Sequence, residues 1–284
     1  MRLLLFFITS LILSSLIAQE STIISYSDAK KLFADEKYVA VENALSPFEK
    51  MSDFSANYTL LLADARHKQK KYDLAIAGYT NVLKSDEKNY SAYFNRGAAR
   101  VFVEDYKNAL KDIEKAIDLN PDSAEMYYYR GYCEAELFDY KDAIESYSKA
   151  IELKPDYAAA YYNRGAAKGE LDQYDAGMSD FNVALEKNPN LEDGLLNIGL
   201  SKLGLGNLDG AIADFDEVIS MRDSNLGKAY FYRGEAKYNK GLKDAACDDF
   251  NRAMNLNYKG ADINISSLCG NKKKSKRREI DITF

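Results

Sequence analysis

The chain has one histidine, His67, no tryptophan and only four prolines in 284 residues. A single histidine leaves metal clusters and imidazole-based catalysis with little to build on. None of the patterns H-E-x-x-H, C-x-x-C, G-x-S-x-G or G-K-[ST] occurs, so the commonest zinc, thiol-redox, serine-hydrolase and P-loop sites have no positive signal. The run Leu203-Gly204-Leu205-Gly206-Asn207-Leu208-Asp209-Gly210 resembles a phosphate-cradling loop. No strand precedes it, which makes it a Gly-rich turn. No catalytic residues, metal ligands or cofactor are expected.

Long apolar runs are also scarce. The one present, Leu3 to Ile17, follows Arg2 and precedes Ala18-Gln19. That is the layout of a secretory signal peptide, and it is short for a membrane span of ~20 residues. Residues 1–18 are therefore expected to be removed and the protein exported, to a periplasm or the exterior. No later segment is apolar enough to cross a membrane.

A basic surface is missing as well. The net charge is −6, but the tail 270–284 carries a surplus of four positive charges. Taking that surplus and Arg2 away leaves residues 19–269 at −11. An acidic body argues against nucleic acid as the ligand, since phosphate binding needs cations. Dense like charge predicts a flexible tail, whose use would be weak contact with an anionic surface or with the acidic body itself, the alternative being a solubilising tail.

What the chain has in quantity is tyrosine, 22 in all, and many of them recur in one phrase. It reads YFNRG at 93–97, YYYRG at 127–131, YYNRG at 161–165, LLNIG at 195–199 and YFYRG at 230–234. The period is 34 residues, once 35. Twelve residues after each glycine comes Ala109, Ala143, Gly177, Ala211 or Ala246, and seven later Ala116, Ala150, Ala184, Val218 or Ala253. Apolar residues between these anchors fall at helical spacing, giving two amphipathic helices per unit. Small residues at matched levels let the two helices approach. Pro121, Pro155 and Pro189 close three units, because proline cannot continue a helix.

This pattern resembles the tetratricopeptide repeat, a 34-residue helix-turn-helix. Units 90–123, 124–157 and 158–191 carry nearly all of it; 192–226 and 227–260 keep the small residues. Unit 56–89 lacks the first aromatic and the proline, and 22–55 keeps only Ala29 and Tyr38. The resemblance implies an all-α, right-handed α-solenoid of six to seven stacked hairpins. Its divisions are a degenerate repeat at 19–55, a solenoid at 56–260, a capping helix at 261–269 and the tail.

The arginine of the phrase has an aspartate sixteen residues on in three units: Arg96 and Asp112, Arg164 and Asp180, Arg233 and Asp249. These are read as architectural bridges, the alternative being a solvated charge stripe. Arg130 meets Ser146 instead, with Glu145 next to it.

In this family the first helices line a concave groove that holds a peptide or partner helix. By resemblance the groove of this chain is lined by Phe94, Tyr128, Tyr132, Tyr162, Leu196 and Phe231, flanked by acids such as Glu136 and Glu170. The chaperone-carboxylate clamp of some members is absent. Asn95, Asn163 and Asn197 match its central asparagine, but the neighbouring cations are missing. The implied role is a non-enzymatic scaffold or adaptor binding a protein partner outside the cytoplasm. A structural or self-assembling envelope subunit, using the solenoid ends and convex face, is the alternative.

Two smaller readings complete the sequence. Cys247 and Cys269 lie about equally far from the break at 257–260, which allows a disulfide if the flanking helices are antiparallel; two buried thiols are the alternative. Three Asn-x-Ser/Thr triplets occur, at Asn57, Asn89 and Asn264.

Overall fold

The computed structural model describes residues 23–51, 54–191, 193–221, 225–269, 282 and 284. The segment expected to be a signal peptide, 1–18, and nearly all of the basic tail lie outside these residues. The described residues are helical hairpins joined by short turns, with no strand among them. They pack as two compact units, one ending at Asp105 and one starting at Tyr106.

The first unit holds α1 (Tyr26–Ala34), α2 (Tyr38–Leu45), α3 (Ala56–Lys68), α4 (Tyr72–Ser85) and α5 (Tyr90–Phe102). The degenerate segment 22–55 is thus a true hairpin, cut short where Ser46-Pro47 turns the chain into a 3-10 helix. The second unit runs from α6 (Tyr106–Leu119) through α7 (Ala124–Glu136), α8 (Tyr140–Leu153), α9 (Ala158–Glu170) and α10 (Tyr174–Lys187). It continues with α11 (Gly194–Gly204), α12 (Leu208–Met221), α13 (Leu226–Asn239) and α14 (Lys243–Asn255). It closes with α15 (Ala261–Asn264), which runs into a π-helical turn at Ile265–Cys269. In this unit α7, α9, α11 and α13 are the inner helices and neighbour one another in turn.

Each inner helix ends the same way. One residue takes a left-handed φ: Glu36, Lys70, Glu104, Phe138, Asp172, Gly206 and Gly241, between 58° and 89°. The next amide then reaches back five residues, from Lys71 to Arg66, Asp139 to Glu134, Gln173 to Lys168 and Leu242 to Lys237, at 2.9 Å. This is the Schellman arrangement, which satisfies carbonyls that the helix end would otherwise leave bare. Only two of the seven positions are glycine. Gly206 belongs to the Gly-rich run 203–210, which is such a turn and no phosphate loop.

The glycine of the repeated phrase fits the aromatic sixteen residues later. A Cβ on Gly165 would lie 2.9 Å from the Gly177 carbonyl and from the Phe181 ring, and one on Gly234 would lie 2.7 Å from Phe250. Tyr147, Phe181, Phe215 and Phe250 are all but fully buried by this close approach, each burial being worth about 1.5–3 kcal/mol.

The arginine ties neighbouring hairpins together. Arg164 grips Asp180 on its own outer helix with two bonds, 2.8 and 2.7 Å, and donates to Ser148 of the preceding outer helix at 3.1 Å. Arg233 does the same with Asp249 (2.8 and 2.5 Å) and Asp216 (2.5 Å). In the first unit Arg96 donates to Thr80 at 3.0 Å. Asp112 belongs to the second unit, and the Arg96–Asp112 pairing stands as an expectation only. The opening tyrosine lies under the guanidinium: Arg130 is 5.3 Å from the Tyr127 ring, Arg164 5.4 Å from Tyr161 and Arg233 5.1 Å from Tyr230.

At the far end, Cys247 on α14 and Cys269 form a disulfide with Cα atoms 5.7 Å apart. Leu268, Ile265 and Cys269 cover Tyr238 and Phe250 there. Asn264 is buried and donates to Glu235 at 2.5 Å, so its triplet is closed to a glycan in the folded chain. Asn89 caps α5 through Ala92 N–H at 2.9 Å.

Candidate functional site

The inner-helix face of the second unit is built from tyrosines held in a fixed order. Tyr128 on α7 packs 5.0 Å from Tyr157 and 5.9 Å from Tyr147, and its hydroxyl accepts from Asn163 on α9 at 3.1 Å. One repeat on, Tyr162 packs 5.5 Å from Phe181 and accepts from Asn197 on α11 at 2.8 Å. Phe231 on α13 sits 5.0 Å from Tyr258 and 5.8 Å from Phe250. These rings are wedges between successive hairpins, with one edge towards the face. The asparagines that match a carboxylate clamp serve as cross-ties instead. In the first unit Asn95 likewise donates to Asp64 at 2.9 Å, beside a half-buried Phe94.

Leu196 is covered rather than open on this face. It is 1% exposed, enclosed in a cluster with Leu200 and Phe215 against which Ile282 and Phe284 pack. The tail departs from its expected freedom at these two residues. Phe284 stacks on Phe181 at 6.2 Å and 14°, lies 6.0 Å from Tyr174, and its N–H donates to Glu170 at 2.9 Å.

Beside Phe284 lies a pocket of about 300 Å³ between α7 and α9, lined by Tyr132, Glu136, Tyr162, Ala166 and Glu170 among others. Burial, with Glu136 alongside, pushes the Tyr132 phenol up to about 12. Burial and Asp193 do the same for Tyr162, to about 12. Both stay neutral donors at physiological pH, next to carboxylates. Lys228 is pulled below the usual lysine range by burial, against the opposing pull of Asp193 and Glu170. The face is therefore aromatic and acidic.

The reactive residues elsewhere are spoken for. The Cys133 thiol is buried and pushed up to about 12 by that burial and by Glu134, so it carries no thiolate at neutral pH. His67, half-buried, stands edge-on between Tyr72 (5.5 Å) and Phe102 (5.8 Å). Among the described residues no group of His, Cys, Asp or Glu is placed to hold a metal, and no helix is long and apolar enough to cross a membrane.

Sequence reasoning missed Gly169, Tyr174 and Phe284. A signal for Gly169 was available. At its position the other units carry Val101, Ala135, Leu203 and Tyr238, so one unit alone opens a gap there.

Known proteins agree with this geometry. Family models of the tetratricopeptide repeat match residues 90–123, 139–172 and 196–255, so these segments are tetratricopeptide repeats. The chain is 39% identical over 62 residues to the heat shock protein sti1 homolog of Schizosaccharomyces pombe, covering 22% of this chain and 10% of that one. It is 31% identical over 106 residues to the DnaJ homolog subfamily C member 3 homolog of Dictyostelium discoideum, 36% of this chain and 21% of the other. The matches thus span about a tenth and a fifth of those relatives. A tetratricopeptide repeat protein from Parabacteroides merdae shares the fold with a TM-score of 0.60 at 21% identity, over 84% of this chain and 93% of its own.

Proposed function

We propose that the chain is a non-enzymatic interaction scaffold acting outside the cytoplasm, which holds an extended, apolar or aromatic protein segment on the inner-helix face of the second unit. The observation that carries this reading is the pocket of Tyr132, Tyr162 and Ala166 flanked by Glu136 and Glu170. Buried rings supply affinity, and the carboxylates favour a ligand with free backbone amides or basic side chains. Proteins built from tetratricopeptide repeats generally serve as protein-interaction scaffolds. The Cys247–Cys269 disulfide fits an oxidising compartment, where such bonds persist, as does the leader-like start of the sequence.

The test is cross-linking in the native compartment, with wild type compared against Tyr132→Ala combined with Ala166→Lys. The expected outcome is loss of the main cross-linked partner, with affinity reduced by about 2 kcal/mol or more, as at aromatic hot spots. Undiminished capture by the variant, its helicity intact, would instead favour assembly through the hairpin-stack ends and outer helices. Recovery of the chain from the cytoplasm with residues 1–18 still attached would overturn the location.

A further inference from the structure

We infer that the inner-helix face is a receptor for one short motif, an aliphatic residue two places before a phenylalanine, and that Ile282 and Phe284 are its resident, competing occupant. This rests on the reading of that face as a peptide-binding surface. It adds the ligand's chemistry and the means by which access is limited.

The seat is specific to one repeat. A Cβ on Gly169 would lie 2.6 Å from the Phe284 ring, so every side chain that the other units place there would exclude it. Glycine inside a helix is unfavourable relative to alanine, and at Gly169 the space it frees is filled by Phe284. Neighbouring Gly204 makes the same allowance for Tyr174, whose ring a Cβ would meet at 2.6 Å. Tyr174 and the fully buried Phe181 then flank Phe284. The ring thus reaches the repeat's own core aromatic.

Two further contacts define the motif. The backbone N–H of Phe284 donates to Glu170 Oε1, an interaction open to any residue except proline at that place. Ile282 packs with Phe284 against the cluster of Leu196 and Leu200. Alternate residues of an extended segment point the same way, so an aliphatic side chain two before the phenylalanine reaches the same cluster. The pocket of about 300 Å³ beside Phe284 remains to receive further ligand side chains.

A tethered occupant acts at an effective concentration on the order of millimolar. An external ligand then binds with its affinity reduced by the fraction of chains whose seat is free. The probe is a fluorescein-labelled peptide of residues 279–284, Glu-Ile-Asp-Ile-Thr-Phe, titrated by anisotropy into the full chain and into Phe284→Ala. Binding to the variant is expected to be roughly tenfold tighter or more than to the wild type. A probe with alanine for its phenylalanine should bind neither. Adding Gly169→Leu to Phe284→Ala should abolish binding, while circular dichroism shows the helices retained.

Equal affinity of the probe for wild type and Phe284→Ala would overturn the inference. So would failure of the probe to bind the variant. If partner capture still depends on Tyr132 and Ala166 in either case, the peptide-binding reading stands and only the motif falls. Sedimentation over a range of concentrations completes the test. The wild type is expected to stay as monodisperse as Phe284→Ala. Self-association of the wild type alone would mean that Phe284 docks into a second copy, and would overturn occupancy within one chain.

Discussion

The hairpins α7–α8 and α9–α10 have helices of equal length and the same turn, yet they neutralise the same arginine in opposite ways. In α9–α10, Arg164 and Lys168 both reach from the inner helix to Asp180 on the outer one, Lys168 at 2.7 Å. In α7–α8 the outer helix offers Ser146, which accepts from Arg130 at 2.7 Å and donates to Glu134 at 2.5 Å. Glu134 occupies the lysine's place and pairs with Arg130 at 3.3 Å. The acid has crossed from one helix to the other and the lysine is gone, so a set of net +1 becomes a neutral one while the guanidinium stays paired. In both hairpins an acid compensates the guanidinium, and in α11 Ile198 replaces the arginine altogether, so the fold prescribes no particular residue at this level.

The largest effect expected from this contrast is at Asp180. Asp180→Ala strands two cations in a largely buried setting, at a cost of about 3 kcal/mol. Ser146→Ala removes a relay while leaving Arg130 beside Glu134, and should cost about 1 kcal/mol. Hydrogen exchange over 158–187 and 124–153 measures the two locally, which suits a repeat protein better than one global midpoint. Equal losses would break the comparison.

Transplanting one solution into the other hairpin sharpens it. Ser146→Asp alone sets a second carboxylate against Glu134, and Glu134→Lys alone adds a cation with no acid; each should destabilise by about 2 kcal/mol. Together they rebuild the Asp180 arrangement. The double variant is therefore expected to recover most of the loss, with a coupling of about 1–3 kcal/mol. Additive losses in the cycle would show that the surroundings, rather than the ion set, decide which acid is used.

This contrast also marks where the sequence was readable and where it was not. The period of 34 and the hairpins follow from side-chain size and spacing, which act locally and repeat. The Arg–Asp bridges at 164/180 and 233/249 follow from the same register. Arg130 was matched to Ser146, and it does donate to that hydroxyl; the acid beyond Ser146 was not foreseen, because the register was followed along the outer helix only. Glu134 lay one turn down the arginine's own helix, where the other units carry Lys168, Lys202 and Lys237. The seat of Phe284 was harder to foresee. It joins residues 115 positions apart with no periodic relation, and a cationic tail gives no hint that its last aromatic is half-buried. The tyrosines of the stripe were placed on the correct helices, but their double duty as wedges depends on rotamers that spacing does not encode.

The α7–α8 hairpin should also respond to acid through Glu134. Burial holds the Glu134 carboxyl above its ordinary range, against the opposing pull of Ser146 and Arg130. A folded-state pKa above the unfolded one gives stability that is full below the unfolded value, about 4.5, and is lost as pH rises through the folded value. Exchange protection of 124–153 should accordingly rise as pH is lowered from 7 towards 4.5, after correction for intrinsic rates. Glu134→Gln should abolish the rise, and a rise that persists in that variant would remove Glu134 as its source.

The smallest expected difference lies in the turns. Phe138 and Asp172 both hold a left-handed φ, 67° and 59°, which costs a non-glycine residue about 1–2 kcal/mol. Glycine relieves that cost but adds freedom to the unfolded chain, returning roughly half of the gain. The two sites differ in what glycine removes. Asp172 accepts a hydrogen bond from the Tyr174 hydroxyl at 2.6 Å, and Tyr174 is a wall of the Phe284 seat. Phe138 is 77% exposed and lies edge-on to Tyr140, with ring centroids 6.2 Å apart. Phe138→Gly is therefore expected to stabilise its hairpin by about 0.5 kcal/mol, whereas Asp172→Gly should leave stability unchanged within about 0.5 kcal/mol. Urea denaturation of the two variants against wild type, with matched m-values, resolves a difference of this size. Destabilisation by Phe138→Gly would mean that this exposed ring contributes packing to the pocket beside it, and that the turn is shaped by its side chain as well as by its backbone.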